Sequence, residues 1–384
     1  MIIRASSSID SVNQRKSIQI LLLTDNFSAT YYLAFEYYLN HIGSDYGIVI
    51  RRFCAKDIEK IAVDLSDLSR LIDVLSDKTP DLVIFNRYGL PYGQILLEQC
   101  LARSIKTVYF IDDYLLHIPN KLGKIIKNTH GKKEVIEARD YLIKNVDLVW
   151  VSTPYLKQKL SQRYPKQQFT IGGYPLYLED YIDKNENLAV RYFNRGKKTS
   201  SKVVFGYMGS KGHQEDLAVI TPSIIKILEN FPKTNFETFG TILMPEELNR
   251  FGNRVKSHKV ITDYQKFLEY LYRLNWNFGL APLINSDFNH CKTSVKFLEY
   301  TACNIPTLAS NSLVYQQFSH NQEIILVDEN QWYDKMQDMI CHSTLTLDLL
   351  KNAKKKCKRN FSLNAQISQF DLIFDSLQLT QNHL

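Results

Sequence analysis

Ser17-Ile18-Gln19-Ile20-Leu21-Leu22-Leu23-Thr24 is a continuous apolar run that ends in the polar cluster Asp25-Asn26-Phe27-Ser28. An apolar run without alternation, closed by turn-forming residues, is what a strand covered on both faces requires. A helix-period segment rich in aromatics follows at 31–41. The same unit recurs, with apolar runs at 47–53, 81–85, 106–111 and 147–152 separated by helix-period segments. Alternating strands and helices at this spacing predict a parallel, doubly wound sheet.

Downstream, residues 183–202 lose the strand pattern and become charged and polar, and a second series of apolar runs begins at 202–207. It continues at 235–239, 276–281, 305–309 and 323–327. The expected organisation is a disordered leader at 1–16, a first Rossmann-like domain at 17–185, a linker at 186–202 and a second Rossmann-like domain at 203–360. A final segment, 361–384, spaces Leu363, Ile367, Phe370, Phe374 and Leu377 as one apolar helix face. Such a face needs a partner surface, and the first domain is the expected one.

The chain of 384 residues suffices for two ordinary domains, and 45% hydrophobic with 23% charged residues is normal for a globular protein. The net charge of +7 is mild for this length and spread out, with no nucleic-acid-binding motif. Cys54, Cys100, Cys291, Cys303, Cys341 and Cys357 show no CxxC and no metal-ligand spacing, which points to reduced thiols in a cytoplasmic protein. Residues 1–17 lack the apolar core of a signal peptide, and no apolar run reaches the roughly 18 residues of a membrane span. Membrane association, if any, is peripheral, at the inner face. Lys121, Lys124, Lys127, Lys132 and Lys133 form a basic run that reads either as a solvated face or as a contact for anionic headgroups or a phosphorylated acceptor.

Ligands of doubly wound sheets bind outside the carboxyl ends of the strands. Three polar clusters fall there in the first domain: Asp25 to Ser28, with Asn26 and Ser28; Asn86-Arg87-Tyr88-Gly89; and Asp112-Asp113-Tyr114 with His117. Each alone is readable as a polar turn. Their convergence on one sheet edge predicts a cleft, with Asn26, Ser28, Arg87 and His117 on its acceptor side.

Two stretches of the second domain carry more chemistry. Phe205-Gly206-Tyr207-Met208-Gly209-Ser210-Lys211-Gly212-His213-Gln214-Glu215-Asp216-Leu217 runs from a strand through a glycine-containing loop into a helix, a place where backbone amides can meet phosphate. His213 and Asp216 are equally readable as a helix-entry residue and a first-turn acid. The second stretch, Asp287 to Ser310, reads as loop, helix and strand. Val295, Leu298 and Ala302 share one face, and Lys292, Lys296 and Glu299 fall at i, i+4 and i+7 on another. An anion could sit on the amides of Cys291 to Ser294 with lysine beside it, and Glu299 could accept sugar hydroxyls. A solvated Lys–Glu pair fits that spacing equally well.

Together the stretches resemble glycosyltransferases of the GT-B type, close to retaining family GT4. The pattern is Gly206-Tyr207-x-Gly209-Ser210-x-x-His213-x-x-Asp216-Leu217, followed about 80 residues later by Lys292, Lys296-x-x-Glu299-Tyr300-x-Ala302-x-x-Ile305-Pro306-x-x-Ala309-Ser310. The resemblance implies two Rossmann-like domains facing an interdomain cleft that closes over the donor, a nucleotide-diphosphate sugar. It implies that Glu299 holds the ribose, and that Lys292, Lys296 and the amides of Thr293, Ser294 and Val295 hold the diphosphate. Gly209, Ser210, Lys211 and His213 then line the donor from the other side, and Asp112 and Asp113, with Lys292, form the catalytic set.

Some positions depart from the family pattern. Cys291 stands where a sugar-contacting glutamate is frequent, with Asp287 as the candidate substitute. Lys211 is the candidate for a cation that many members carry after the glycine loop. Asp112 occupies a place where many have histidine. There is no Asp-x-Asp in the context of a metal-dependent GT-A site, and the resemblance implies no obligatory metal or cofactor. The implied reaction is hexosyl transfer to a glycan or lipid-linked acceptor in surface polysaccharide synthesis, with retention through same-face attack. A sugar-nucleotide 2-epimerase and a non-catalytic GT-B binding module are the alternatives.

Overall fold

β1 (Ile18–Thr24) is buried because strands flank both its edges and helices cover both its faces. It pairs in parallel with β2 (Ile48–Cys54) and β3 (Leu82–Asn86), placing Leu22 opposite Arg52 on one side and Ile84 on the other. With β4 (Lys106–Ile111), β5 (Leu148–Val151) and β6 (Phe169–Ile171) they form a six-stranded sheet of order β2-β1-β3-β4-β5-β6. The computed structural model describes residues 17–42, 47–119, 128, 130–172 and 202–379. The leader at 1–16, residues 186–201 of the linker, the boundary at 185, and Lys121, Lys124 and Lys127 lie outside the described residues.

The second sheet is built the same way from β7 (Val203–Gly209), β8 (Thr234–Gly240), β9 (Val255–His258), β10 (Phe278–Ala281), β11 (Thr307–Ser310) and β12 (Ile325–Val327). Its order is β12-β11-β10-β7-β8-β9, again parallel at every described pairing. Chain order reverses between β7 and β10, so a crevice opens at their carboxyl ends. Two parallel Rossmann-like sheets of this kind are the GT-B architecture. The apolar-run reading missed β6 and β9. Both are edge strands, and Val255-Lys256-Ser257-His258, with one side open to water, carries no continuous apolar run.

The segment after β1 is helical, as its periodicity predicts, but not uniform: α-helical at Ala29–Tyr31, π-helical at Tyr32–Glu36 and α-helical again at Tyr37–Ile42. The wider turn carries Leu33, Ala34 and Phe35 into the core, where Phe35 meets Phe110 and Trp150 edge-on at 5.3 and 5.6 Å. The helices that position the site are α1 (Pro154–Arg163), α2 (Gln214–Asn230), α3 (Tyr264–Leu274), the short α4 (Asp287–His290), and α5 (Val295–Ala302). A last helix, α6 (Leu363–Ser376), lies on the first sheet's helical layer. There Phe370 stacks on Tyr38 at 4.4 Å, and Gln366 Nε2 donates to the Ala34 carbonyl at 3.1 Å.

α5 is fixed over the second sheet by one tyrosine. Tyr300 donates its hydroxyl to the Leu280 carbonyl of β10 (3.0 Å) and accepts from the Met208 amide of β7 (3.1 Å). The ring fits because residue 279 has no side chain: a Cβ there would lie 2.7 Å from the ring. Replacing Gly279 with Ala is expected to push Tyr300 off both strands and destabilise the protein by about 1–3 kcal/mol. Thermal unfolding would register this as a lower midpoint than wild type, and an unchanged midpoint would contradict this account of α5 docking.

Candidate functional site

The carboxyl ends of the two sheets face each other across a cleft that contains a cavity of about 410 Å³. The second domain supplies Gly209 and Ser210 at the end of β7, Gly240 and Thr241 after β8, and the 292–299 stretch. The first domain contributes Ala29, Thr30, Asp112 and Asp113. Gly240 has φ +111°, and a Cβ there would lie 2.4 Å from the Gly209 carbonyl oxygen, so only glycine lets the two strand ends approach so closely.

Lys292 and Lys296 both border the cavity, although Lys292 precedes α5 and is not part of it. Neither forms an ion pair among the described residues. Lys296 lies 3.3 Å from His213 Nε2 and over the Tyr207 ring at 5.7 Å, and Lys292 lies over the Phe288 ring at 5.3 Å. Burial lowers the pKa of both, that of Lys296 to about 8, where the neighbouring Lys292 adds to the effect. The anticipated amide cradle is smaller than its sequence reading. The Cys291 and Lys292 amides close the preceding turn on the Phe288 and Asn289 carbonyls, at 3.3 and 3.1 Å. The amides of Thr293 to Lys296, ahead of and at the start of α5, have no acceptor among the described residues. They and the two ammonium groups make this end of the cavity positive.

Glu299 stands one turn further along α5. It is buried, and Tyr264 donates to its Oε1 at 2.9 Å. Burial raises its pKa to about 7; the Tyr264 hydrogen bond and nearby Lys296 oppose the rise without cancelling it. Beyond it the cavity becomes apolar, walled by Phe239 and Phe267, whose rings stack at 4.8 Å.

On the first-domain side, Asp112 Oδ2 accepts from the Thr30 hydroxyl at 3.0 Å and lies 3.4 Å from Arg87 Nη1. Arg87 also approaches Asp25 at 3.6 Å and donates to Thr30 at 3.1 Å. Asp113 has its pKa raised by burial and by adjacent Asp112, with Lys292 opposing. All three polar clusters thus contribute to one network at the cavity's edge, with Arg87 at its centre and not among the residues that line the cavity.

Of the sequence candidates, Asp112, Asp113, Gly209, Ser210, His213, Lys292, Thr293, Val295, Lys296 and Glu299 border the one cavity. Others do not. The Ser294 side chain is buried and its hydroxyl accepts from Gln317 Nε2 at 3.3 Å. Lys211 is exposed, its amide donating to Thr241 Oγ1 at 3.1 Å, and it does not border the cavity. Asn26 and His117 are exposed, and Ser28 lies in a neighbouring groove with Tyr31 and Tyr32.

Asp287, the candidate substitute sugar contact, does not border the cavity. Its carboxylate accepts from Tyr155 (2.7 Å) and Lys159 (2.6 Å) of α1, joining the two domains. The Cys291 side chain is fully buried, its thiol turned to the Asp287 carbonyl at 3.3 Å.

Residue-by-residue reading passed over Thr30 and Tyr264. Thr30 sits just past the Asp25–Ser28 cluster, so extending that cluster by one helical turn would have included it. Tyr264 is 35 residues from Glu299 and has no local signal.

Among solved structures the chain is similar to Anabaena HepE, determined in complex with UDP-glucose, with 12% identity, 94% of this chain and 100% of that one covered, and a TM-score of 0.61. It is similar also to a glycosyltransferase from Rickettsia africae, at 13% identity, 94% and 99% coverage and a TM-score of 0.62. An α-glucosyltransferase in complex with UDP matches at 12% identity, 93% and 100% coverage and a TM-score of 0.59. These likenesses establish the GT-B fold. No family model matches the chain, and no curated protein matches it.

The raised pKa of Glu299 has a stability consequence of definite sign. A carboxyl whose folded pKa exceeds its unfolded one contributes stability that is present below the unfolded value, 4.5, and lost as pH rises through about 7. Glu299→Gln keeps an acceptor for Tyr264 without the charge. It is expected to raise the thermal midpoint at pH 8, by on the order of 1–2 kcal/mol in stability, and to leave it nearly unchanged at pH 4.5. Equal effects at both pH values would show that Glu299 is not held in the high-pKa state.

Proposed function

We propose that the chain is a glycosyltransferase that moves a sugar from a nucleoside-diphosphate sugar to an acceptor hydroxyl, with UDP as the nucleotide. The observation that carries this reading is the spacing of charge in one buried cavity: two lysines without ion-pair partners at the start of α5, and a buried carboxylate one turn on. A diphosphate satisfies the first and a ribose diol the second. Flat, weakly polar nucleobases suit the apolar end that Phe239 and Phe267 wall. The choice of UDP rests on the ligands named for Anabaena HepE and the α-glucosyltransferase, which share this fold.

In this reading, Glu299 accepts hydrogen bonds from the ribose hydroxyls while Tyr264 holds its other side. Lys292, Lys296, the amides of Thr293 to Lys296, and Gly209 with Ser210 surround the diphosphate. As the glycosidic bond breaks, negative charge builds on the leaving phosphate oxygen, and preorganised cations stabilise it without solvent rearrangement. Asp112 and Asp113 lie across the cavity, where the donor sugar and the incoming hydroxyl meet. The reaction proceeds with retention, the attacking hydroxyl approaching on the face the phosphate leaves. The acceptor is a glycan or lipid-linked saccharide in surface polysaccharide synthesis, reached at the inner face of the membrane. No helix of the described residues is long and apolar enough to cross one. The working units are a first domain at 17–185, a donor domain at 203–360 and a returning segment at 361–384.

A thermal-shift series with nucleoside diphosphates tests the donor site. UDP at 100 times its dissociation constant is expected to stabilise the protein by about 2.7 kcal/mol, an effect absent in Glu299→Ala. Stabilisation by no nucleotide would overturn the reading.

Transfer chemistry is tested separately, by mass-spectrometric detection of released UDP and glycosylated acceptor. Lys292→Ala is expected to lower turnover by about 100- to 1,000-fold. A product that retains the nucleotide would instead identify an epimerase.

A further inference from the structure

His213 lies in the turn between β7 and α2, and its ring touches two charged groups of opposite sign. Nδ1 is 2.8 Å from Asp216 Oδ2, and Nε2 is 3.3 Å from Lys296 Nζ. An ammonium can only donate, so Nε2 is the acceptor and the ring proton sits on Nδ1, directed at the carboxylate. Asp216 is buried and held from other sides: its Oδ1 accepts from the Ile284 amide at 2.9 Å and from Asn289 Nδ2 at 3.3 Å. Burial, reinforced by Lys296 and Lys292, lowers the His213 pKa to about 3, so the ring stays neutral. Burial works against ionisation of Asp216, but the His213 hydrogen bond, Lys292 and the Ile284 amide outweigh it and its pKa is lowered.

We propose that His213 and Asp216 are positioning residues for Lys296. The imidazole accepts from the ammonium and holds it at the phosphate end of the cavity, and Asp216 fixes the ring tautomer that can accept. The inference rests on the donor-site reading above and reassigns His213 from a donor-contacting residue to one that acts through Lys296. A lysine has a long, freely rotating stem, and holding it in place before the ligand arrives removes part of the ordering cost of binding.

Chemically, the tautomer is the vulnerable point. Asp216→Asn keeps the volume and leaves a carbonyl for Ile284 and Asn289, but turns a donor toward His213 Nδ1. That selects the Nε2–H ring, whose proton meets the ammonium head-on; the same swap disables the histidine of serine-protease triads.

The test uses the full chain and two readouts. Nitrogen-15 NMR of labelled histidine, without ligand, is expected to show His213 neutral and protonated at Nδ1 in wild type, and at Nε2 in Asp216→Asn. Calorimetry with UDP and with uridine, which lacks the phosphates, is expected to show about tenfold weaker UDP binding in His213→Ala and in Asp216→Asn, a loss of ~1.4 kcal/mol. Uridine binding stays unchanged, which also certifies the fold. His213→Gln, which returns an acceptor oxygen, recovers most of the UDP affinity.

Wild-type UDP affinity in Asp216→Asn, or equal losses for UDP and uridine, would overturn the positioning role. So would a charged or Nε2–H ring in a wild type that binds UDP. A wild type that carries the Nδ1–H ring yet binds no nucleoside diphosphate overturns the donor-site reading instead.

Discussion

The constraint on which the site depends is the partial burial of two ammonium groups that form no ion pair among the described residues. Removing a charge from water costs several kcal/mol unless something replaces the lost hydration. Lys292 and Lys296 receive only partial compensation, from aromatic faces, the His213 ring and the more distant carboxylates Asp113 and Asp216, and burial with the neighbouring Lys292 draws the Lys296 pKa down to about 8. Glu299, whose pKa rises to about 7, is under-compensated in the opposite sense. In the proposed reading, the diphosphate meets the two lysines and the ribose hydroxyls meet Glu299. Function here takes the form of local instability tolerated by a well-packed frame.

That frame is two parallel sheets whose strand ends point into one cleft. The reversal of strand order between β7 and β10 opens the crevice, and Tyr300, seated where Gly279 has no side chain, sets α5 against both strands. Without that docking, Lys296 and Glu299 would still share a helix face, but nothing would aim the face at Gly209 and Ser210. The first domain meets this arrangement through Tyr32 on Tyr264 at 5.1 Å, Thr153 on the Cys291 carbonyl at 3.2 Å, and Tyr155 with Lys159 on Asp287. Because Tyr264 also bonds Glu299, the contact between domains and the Glu299 end of the cavity share a residue. The end of the cavity nearest the first domain is built differently. Cys291 faces inward and Asp287 serves the domain contact, which leaves Asp112, Asp113 and Thr30 as the nearest polar groups on the other side.

Much of the architecture was legible because parallel strands buried on both faces must be written as apolar runs. β4 was read to the residue, and most other strands within a residue or two. Edge strands β6 and β9 escaped because one open side relaxes that demand. The site was legible where it lies within one continuous stretch, as with Lys292, Lys296 and Glu299, since helix geometry alone places them together. It was illegible where partners are distant in sequence. Tyr264 reaches Glu299 across 35 residues, and Asp216 reaches Ile284 across 68. Lys211, Asn26 and His117 had suitable chemistry and neighbouring positions, yet side-chain direction turned them to solvent.

The sequence by itself determined the alternation that forces two parallel sheets, the glycines that let strand ends close up, and the charge order along α5. Tertiary structure alone decided which of those charges lost their water and which kept it. It also decided that Asp287 would bind its neighbouring domain, that Arg87 would stand behind Asp112, and that His213 would bridge Asp216 and Lys296. The reason is physical: periodicity is a property of consecutive residues, whereas desolvation and hydrogen-bond partnership depend on every group that packs nearby, whatever its distance along the chain.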